Sequence, residues 1–299
     1  MNDPPPCPPS PSACCGNGCT TCVNDIYEKE LELWKERQDK KAGDDQNHQV
    51  DSFLNENAYT DFECMEVIQV TPTTRIFRFS LGNKRGVLGH SAGQHLLVRE
   101  VVNGEAITRQ FSILSCPGQR GEFSLCVKLY KNGKMSEAIS KWRQGTVVQC
   151  RGPYGLYKYN PNMYDRLVLL AQGTGVVPFI SILEMVLSNQ EEEGKVVLLY
   201  SVSSWEEVLC KEEINEFCGY WNFQCKIYVG DDEAVPLVRV PQREVVWGRM
   251  VVEKLGTDVF GDVGVSRQIL VCGSKKYQQE ICDSLSHIFD CDRHQIVRF

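Results

Sequence analysis

Short apolar segments follow one another closely between residues 60 and 158 of the chain. Most of them predict strands, because they alternate or are β-branched and are punctuated by Gly or Asn-Gly. These strands cover residues 62–70, 74–80, 95–102, 123–130 and 146–151, and a further predicted barrel strand carries Arg109-Gln-Phe-Ser112. A helix is predicted from Met135 to Trp142. Short strands at this spacing are typical of a small antiparallel barrel.

The pattern changes from residue 166 onward, where compact apolar runs alternate with helical stretches. The runs predict buried strands at 166–171, 195–201, 225–229 and 268–271, and the stretches predict helices at 176–187, 210–217, 250–255 and 275–288. Such alternation indicates a parallel sheet with helices on both faces, which binds ligands at the carboxyl ends of its strands. We therefore predict a barrel over residues 56–160, followed by an α/β domain over residues 163–299.

The first 50 residues differ in composition from the rest. Residues 1–13 are rich in Pro and Ser, and five cysteines lie within the first 22 residues. A short helix is predicted over 25–41, whereas residues 42–52 are polar, contain Gly and lack an apolar period, which is typical of a linker. Residues 1–50 are therefore predicted to form a separate Cys-rich segment and linker.

Charge and hydropathy narrow the classes of function. The net charge of −7 argues against sequence-independent nucleic-acid binding, which depends on clustered Lys and Arg. No apolar run approaches the roughly 20 residues of a membrane-spanning helix, and the N-terminus lacks the features of a secretory signal. The ten cysteines beyond residue 60 are expected to be reduced. We expect an intracellular protein, cytoplasmic or peripherally associated with a membrane, that acts on small molecules.

One glycine-rich turn, Gly173-Thr-Gly-Val-Val-Pro178, lies between a predicted strand and a predicted helix. Glycine lets the backbone approach a ligand, and the N-terminus of the helix presents N–H groups to a phosphate. A pyrophosphate would fit this turn. Pro178 stands where the Rossmann fingerprint has its third Gly, and a purely structural turn explains the motif equally well when it is taken alone.

The predicted barrel carries three further motifs. Strand alternation places Arg109 and Phe111 on one side of their strand, which suits a flat, phosphorylated ligand. Gly133-Lys-Met-Ser136 is a tight turn into a helix and could bind an anion. Arg151-Gly-Pro-Tyr-Gly155 ends the barrel. Each motif by itself is also compatible with ordinary turn chemistry.

The order of these motifs, completed by Cys272-Gly273 after the last predicted strand and by an aromatic C-terminus, Phe299, resembles the ferredoxin reductase superfamily. Over residues 60–299 the chain is most similar to the cytochrome b5 reductase branch. The segments most similar to that branch are Gly93-Gln-His95, Val127-Lys-Leu-Tyr130 and Gly133-Lys-Met-Ser136. The resemblance implies an FAD-binding barrel, an NAD-binding α/β domain, and electron transfer from NADH through FAD to a one-electron acceptor such as cytochrome b5.

The resemblance also implies roles for individual residues. Arg109 would bind the FAD pyrophosphate, Phe111 would flank the flavin, and Ser112 would lie near flavin N5. His95 would stand behind Ser112 in a hydrogen-bond relay. The predicted catalytic residues are His95, Ser112 and Lys128, and the predicted cofactor-binding residues are Arg109, Phe111, Ser112, Gly133, Lys134, Met135, Ser136, Gly173, Thr174, Gly175, Pro178, Asp231, Cys272, Gly273 and Phe299.

Several of these residues also have ordinary structural interpretations. His95 could be a barrel histidine, Lys128 a solvated strand lysine and Cys272 a buried thiol. Asp231 follows a predicted strand, where a carboxylate can accept hydrogen bonds from an adenine-ribose hydroxyl and repel the 2′-phosphate of NADPH. We therefore expect a preference for NADH, although a solvated acidic turn is the alternative.

The chain departs from the branch at several motif positions. Gln172 replaces the usual Gly before Gly-Thr-Gly, and Cys272-Gly-Ser-Lys-Lys-Tyr277 replaces Cys-Gly-Pro-Pro-Pro-Met. The motif Arg109-Gln-Phe-Ser112 has Gln, Phe and Ser in place of Pro, Tyr and Thr. The first two departures lie on the side expected to bind NADH, and the third keeps the aromatic ring and the hydroxyl.

The N-terminal cysteines form a separate motif. Cys14, Cys15, Cys19 and Cys22 have metal-ligand spacing and could bind zinc or iron. The segment resembles a short "oxidoreductase-like" N-terminal domain, which brings no function with it, and a redox-sensitive tail is the alternative. All flavin and nicotinamide motifs lie beyond residue 90, so residues 1–50 are expected to be dispensable for FAD reduction.

Two alternative functions stay open from the sequence. Within the same class, the protein could be a flavin reductase for another acceptor, such as an iron–sulfur protein or a quinone. From a different class, it could be a non-catalytic metal-binding or interaction protein that keeps a reductase scaffold.

Overall fold

The computed structural model describes residues 5–6, 8–9, 23–39, 53–230, 243–262, 264–288 and 296–299. Helix α1, Val23–Asp39, precedes two six-stranded sheets. No helix among these residues combines the length and the apolar character needed to cross a bilayer.

The first sheet is antiparallel and closes into a barrel. Its neighbours run in the order β4-β3-β6-β1-β2-β5, and a bridge between Ile113 and Leu125 joins the end of β4 to β5. Helix α2, Lys134–Ser140, connects β5 to β6. The strands are β1 Thr60–Thr71, β2 Thr74–Ser80, β3 His95–Val102, β4 Glu105–Ser112, β5 Glu122–Lys128 and β6 Val147–Tyr154.

Aromatic side chains fill the barrel because alternate strand positions point inward. Phe79 stacks on Phe123 with ring centroids 5.1 Å apart, and Phe62 meets Phe123 edge-on at 4.9 Å. Trp142 packs edge-on against Phe77 and Phe79 and donates a hydrogen bond from Nε1 to Glu100 at 2.6 Å. Helix α2 ends at Ser140, two residues before the predicted end, and Trp142 joins the core.

The second sheet is parallel throughout, in the order β10-β9-β8-β7-β11-β12. Along β7, Leu167 and Leu169 face the apolar cluster that includes the next helix, α3, whereas Val168 and Leu170 face a second cluster on the other side. The elements are β7 Arg166–Gln172, α3 Val177–Leu187, β8 Lys195–Val202, α4 Lys211–Phe217, β9 Phe223–Val229, β10 Arg243–Trp247, α5 Thr257–Phe260, β11 Arg267–Cys272, α6 Lys275–Ile288 and β12 Ile296–Arg298.

The predicted fold class, an antiparallel barrel followed by a parallel α/β sheet, is confirmed. The helix predicted at 250–255 is wrong, because this region has only a short 3-10 turn, Val252–Lys254, between extended residues Val251 and Leu255. The β-branched pair Val251-Val252 disfavours a helix at this point. The patterns also missed the edge strands β10 and β12, which are short and bear no fully buried residue.

Candidate active site

A cleft of about 1100 Å³ lies between the barrel and the carboxyl ends of the parallel strands. This volume is at the upper end of what small-molecule sites usually offer. Eight residues predicted to serve FAD or NADH line it, namely Phe111, Ser112, Lys128, Gly173, Thr174, Gly175, Cys272 and Gly273. The structure therefore brings motifs from both sheets to one place.

Two turns of the parallel sheet meet backbone to backbone in this cleft. A Cβ atom on Gly175 would lie 2.3 Å from the Cys272 carbonyl oxygen, and a Cβ on Gly273 would lie 2.8 Å from Cβ of Gln172. Glycine is therefore required at both positions. Pro178 stands in the first turn of α3, where its fixed φ suits a helix start. The close packing leaves little but backbone to face a ligand here.

Gln172 and Ser274, two of the departures from the branch pattern, contact each other. The Ser274 hydroxyl donates to Gln172 Oε1 at 2.7 Å and accepts a hydrogen bond from the Tyr277 N–H at 3.3 Å. Ser274 thereby ties the last residue of β7 to the start of α6. No sequence motif pairs these two residues, and the pairing emerges only from the register of β7 and β11.

His95 and Ser112 lie directly opposite each other in the β3–β4 register. His95 Nε2 is buried and has no hydrogen-bond partner among the described residues. Burial lowers the pKa of His95 to about 4, so the imidazole is neutral at neutral pH. A neutral ring with an unpaired nitrogen, behind a cleft-lining hydroxyl, suits a bound polar group.

Lys128 contacts an acidic residue of the other wall. Its Nζ lies 2.8 Å from Glu207 Oε2, and the Thr73 hydroxyl lies 3.1 Å from each oxygen of the same carboxylate. Burial alone would raise the pKa of Glu207, but hydrogen bonds from Lys128 and Thr73 lower it overall. The sequence motifs did not predict a role for Glu207, because the residue belongs to none of them.

Arg109 and the start of α2 lie outside the lining of the cleft. Arg109 is exposed on the edge strand β4 and donates from Nη1 to the Thr108 carbonyl at 2.7 Å. Ser136 Oγ accepts a hydrogen bond from the Tyr130 N–H at 3.0 Å, and Lys134 pairs with Glu105 at 3.4 Å. The side chain of Met135 is buried in the barrel core, so only its backbone could serve a phosphate.

Phe299 has structural neighbours that the sequence did not predict, whereas the burial of Cys272 agrees with its structural interpretation as a buried thiol. Phe299 packs edge-on against Phe179 at 5.4 Å and at a tilt against Tyr157 at 5.6 Å, outside the lining of the cleft. It is held there because its N–H bonds to the Val271 carbonyl beside β12. Burial raises the pKa of the Cys272 thiol to about 12, which keeps it protonated.

Some predicted site residues lie outside the described part of the chain. These are Asp231 and the four cysteines predicted to bind metal, Cys14, Cys15, Cys19 and Cys22. Among the residues that are described, no group of three or more His, Cys, Asp or Glu side chains is arranged to hold a metal ion.

An antiparallel barrel and a parallel α/β sheet that share such a cleft fit the flavin-dependent reductase class, in which the protein binds and orients its cofactors. Comparison with protein families agrees. The family described as "Oxidoreductase FAD-binding domain" matches residues 61–159, and "Oxidoreductase NAD-binding domain" matches residues 169–283. "Oxidoreductase-like protein, N-terminal" matches residues 3–43.

The relatives identify the family. "NADH-cytochrome b5 reductase-like" of Mus musculus is 31% identical over 295 residues, which cover 94% of this chain and 90% of that protein. The Homo sapiens protein of the same name is 31% identical over 292 residues, with the same coverage. The chain belongs to the NADH-cytochrome b5 reductase family.

Solved structures support the fold. The cytochrome b5 reductase domain of Ulva prolifera nitrate reductase superposes with a TM-score of 0.71 at 22% identity, covering 83% of this chain and all of that domain. A ferredoxin NADP+ reductase from Neisseria gonorrhoeae superposes with a TM-score of 0.65 at 21% identity, covering 81% and 98% of the two chains.

The predicted family and activity are confirmed: the protein is an NADH-dependent flavoprotein oxidoreductase whose cofactors are FAD and NADH. The residues of the cleft fit these groups. The close backbone contact at Gly175 leaves a cradle that a side chain would fill, and His95 offers an unpaired buried nitrogen. The start of α6 lies at the cleft, with Ser274 and Lys276 in its lining, and a helix N-terminus suits an anionic ligand.

Proposed function

We propose that this reductase passes electrons from NADH through FAD to a one-electron acceptor, a haem protein of the cytochrome b5 type. The observation that supports it best is the shared cleft, in which Phe111 and Ser112 of the barrel face Gly175 and Cys272 of the parallel sheet. FAD, when bound, accepts two electrons and can release them singly, which connects NADH to such an acceptor.

The proposed roles of the residues differ between the two proposed domains. Within residues 56–160, Arg109 binds the FAD pyrophosphate, Phe111 flanks the flavin, and the backbone from Gly133 to Ser136 holds phosphate. Ser112 presents its hydroxyl to the flavin, with neutral His95 behind it. The burial that keeps His95 uncharged prepares it to accept or donate one hydrogen bond without adding a charge.

Within residues 163–299, the turns at Gly173–Gly175 and Cys272-Gly273 bind NADH through their backbone. Lys128 supplies a positive charge from the barrel, and Glu207 fixes the position of that charge. Binding both cofactors in one orientation is the main contribution that such a protein makes.

The charge distribution supports an acidic acceptor. Residues 56–160 contain 14 Lys and Arg against 8 Asp and Glu, a net charge of +6, although the whole chain carries −7. Four exposed cations surround α2, namely Lys131, Lys134, Lys141 and Arg143. The barrel therefore attracts an acidic protein at rates that fall with ionic strength. The names of the mouse and human relatives refer to cytochrome b5.

The visible spectrum of the purified protein tests this proposal. We expect a yellow protein that bleaches anaerobically with NADH and then reduces cytochrome b5 faster at low than at high salt. Colourless protein that fails to take up FAD would contradict the reductase function itself. The protein could instead bleach with NADH but reduce cytochrome b5 independently of salt, or not at all, while it reduces a quinone or a ferredoxin rapidly. That result would keep the reductase function and contradict cytochrome b5 as the acceptor.

We also propose that Cys14, Cys15, Cys19 and Cys22 bind one zinc ion or an iron cluster, and that the protein is intracellular. Thiolates at this spacing are the ligands that either metal prefers. Elemental analysis of the intact protein should find about one zinc, or an iron cluster, per chain. A metal-free protein that is equally stable with and without chelator would leave a redox-sensitive tail as the remaining explanation.

A further inference from the structure

Helix α1 carries a carboxylate that is buried against the barrel. Glu30 is only 8% exposed, whereas Glu28 and Glu32 on the same helix are exposed. Glu30 Oε1 accepts a hydrogen bond from the Tyr59 hydroxyl at 2.5 Å and lies 3.3 Å from Nη2 of Arg151. The helix that follows the Cys-rich motif is thus docked on the barrel through an acidic side chain.

The negative charge of Glu30 is paired with the buried side chain of Arg151. Arg151 lies on β6, its side chain is 2% exposed, and Glu30 is the acidic group paired with it among the described residues. Its guanidinium lies over the rings of Tyr59 at 5.1 Å and Tyr154 at 5.9 Å. These rings favour a cation but cannot neutralise it, so the formal charge of Arg151 is balanced by a residue outside the barrel.

This buried pair lies behind the proposed FAD site. The Tyr59 hydroxyl is also 3.2 Å from Oγ1 of Thr108, the residue before Arg109 on β4. Tyr154 pairs with His95 across β3 and β6, and their rings are 6.0 Å apart. Contacts therefore run from Glu30 to the strand that carries Arg109 and to the ring of His95.

A second point of contact lies before the Cys-rich motif. Pro6 forms a parallel bridge with Ala106 at the exposed edge of β4. Described residues on both sides of the motif, Pro6 and Glu30, therefore contact the barrel. An edge strand with unpaired backbone groups is otherwise open to unwanted pairing.

We infer that the N-terminal segment is a working part of the flavin barrel, and that Glu30 is a positioning residue which supplies the counter-charge of Arg151 and thereby holds β4 and β6 in place for FAD. The inference rests on the proposed placement of FAD against β4. It differs from the expectation, drawn from the motifs alone, that residues 1–50 are dispensable.

The physical argument concerns one uncompensated charge. Removing one partner of a buried ion pair leaves the other charge in a low dielectric, which is far more costly than removing both partners. Glu30→Gln would leave Arg151 charged and buried, and the barrel would relieve this strain by moving β6 or admitting water. Removing both charges should then restore what the single substitution loses.

The experiment measures FAD affinity of the full-length chain, after removal of the flavin, by quenching of flavin fluorescence. We expect Glu30→Gln to raise the FAD dissociation constant by about tenfold or more. The matched control Glu32→Gln, an exposed residue of the same helix, should leave it unchanged, and Glu30→Asp, which keeps the charge, should lose less. The double variant Glu30→Gln with Arg151→Met should recover most of the affinity.

Equal affinities in the Glu30→Gln and Glu32→Gln variants would overturn the inference, as would a double variant no better than Glu30→Gln alone. If Glu30→Gln does not fold, a folded double variant that binds FAD supports the counter-charge role, and an unfolded one overturns it. These measurements need neither NADH nor an acceptor. The proposed electron transfer can therefore fail separately, in the wild-type protein.

Discussion

The two walls of the cleft differ in the groups that they present to a ligand. The barrel wall presents side chains, among them Phe111, Ser112 and Lys128, from strands whose register fixes where each one points. At Gly175 and Gly273 the parallel wall presents backbone, because these two turns are packed too closely for side chains, whereas elsewhere side chains such as Glu207 line it. The barrel site should therefore be sensitive to the loss of individual side chains, and the parallel site to added atoms.

Charge separates the same two regions. Residues 56–160 carry +6 by formal count, whereas residues 163–299 contain 13 Lys and Arg against 21 Asp and Glu and carry −8. FAD and NADH are both anionic, so the acidic half binds its dinucleotide against the overall potential. Two basic side chains of this half, Arg249 and Lys276, line the cleft, and the N-terminus of α6 adds local positive charge there.

The largest effect should come from adding one methyl group to the parallel wall. Gly175→Ala places a Cβ against the Cys272 carbonyl, where neither backbone can move freely. Overpacking of this kind costs roughly 3 kcal/mol or more, and a displaced turn should slow flavin reduction by NADH about 100-fold. Thermal unfolding and stopped-flow reduction measure the two quantities.

The matched control for that substitution is Gly118→Ala. A Cβ on Gly118 has no atom within 4 Å, and its backbone is not in the left-handed region. It should therefore behave as wild type. Normal reduction by NADH in Gly175→Ala would contradict the close contact between the two turns.

Removing a barrel side chain should give the next largest effect. Arg109→Ala deletes the proposed charge-assisted contact to the FAD pyrophosphate, so FAD should bind about 10- to 100-fold more weakly. Flavin content after gel filtration and titration of the flavin-free protein measure this loss. Arg120→Ala, another exposed barrel arginine, is the control, and full flavin retention in Arg109→Ala would remove Arg109 from the site.

The next prediction concerns the preference of the acidic half, residues 163–299, for NADH over NADPH. If Asp231 accepts hydrogen bonds from the adenine ribose, Asp231→Ala should reduce the preference for NADH over NADPH by roughly tenfold in kcat/KM. Flavin content should not change, because the residue follows a strand of the parallel half. A preference that persists in both Asp231→Ala and Asp232→Ala would mean that another residue reads the ribose.

The sequence predicted those parts of the molecule that depend on local pattern or on motif order. Apolar period and turn residues were sufficient for ten of the twelve strands that the structure describes, and the motifs included eight of the residues that line the cleft. What they could not predict are contacts between residues distant in the chain. Gln172 and Ser274 are 102 residues apart, Lys128 and Glu207 are 79 apart, and Glu30 and Arg151 are 121 apart. Such pairs are set by packing of whole elements.

The short elements were missed for a related reason. Strand β10 is half-exposed and β12 has three residues, so neither gives a hydrophobic period of its own. Each forms because a longer strand beside it already offers a row of backbone partners. The same holds for Phe299, which is aromatic and C-terminal as the motif predicts, yet is placed by the edge of β11 and by α3 rather than by the cleft.

The smallest effect should come from the ion pair that joins the two walls. Glu207→Gln removes the charge that fixes Lys128 but keeps a group able to accept from Thr73. Because both side chains are partly exposed, at 27% for Lys128 and 16% for Glu207, we expect KM for NADH to rise only about three- to fivefold, with flavin content unchanged.

The matched control is Glu206→Gln, since Glu206 is the adjacent acidic residue and is exposed. A double-mutant cycle with Lys128→Met should show that the effect of Glu207→Gln disappears once Lys128 is gone. Equal KM values for the Glu206→Gln and Glu207→Gln variants would show that the pair does not position Lys128 for NADH.

The pH dependence of this pair has a definite sign. The pKa of Glu207 is lowered in the folded protein, so the pair contributes fully above the ordinary carboxyl range and is lost as pH falls through the folded pKa. The KM difference between wild type and Glu207→Gln should therefore be constant from neutral pH down to about pH 5 and shrink below it. A difference that instead vanished on raising the pH from 6 to 8 would point to another titrating group, and the charge of Glu207 would then not be what joins the barrel wall to the parallel wall.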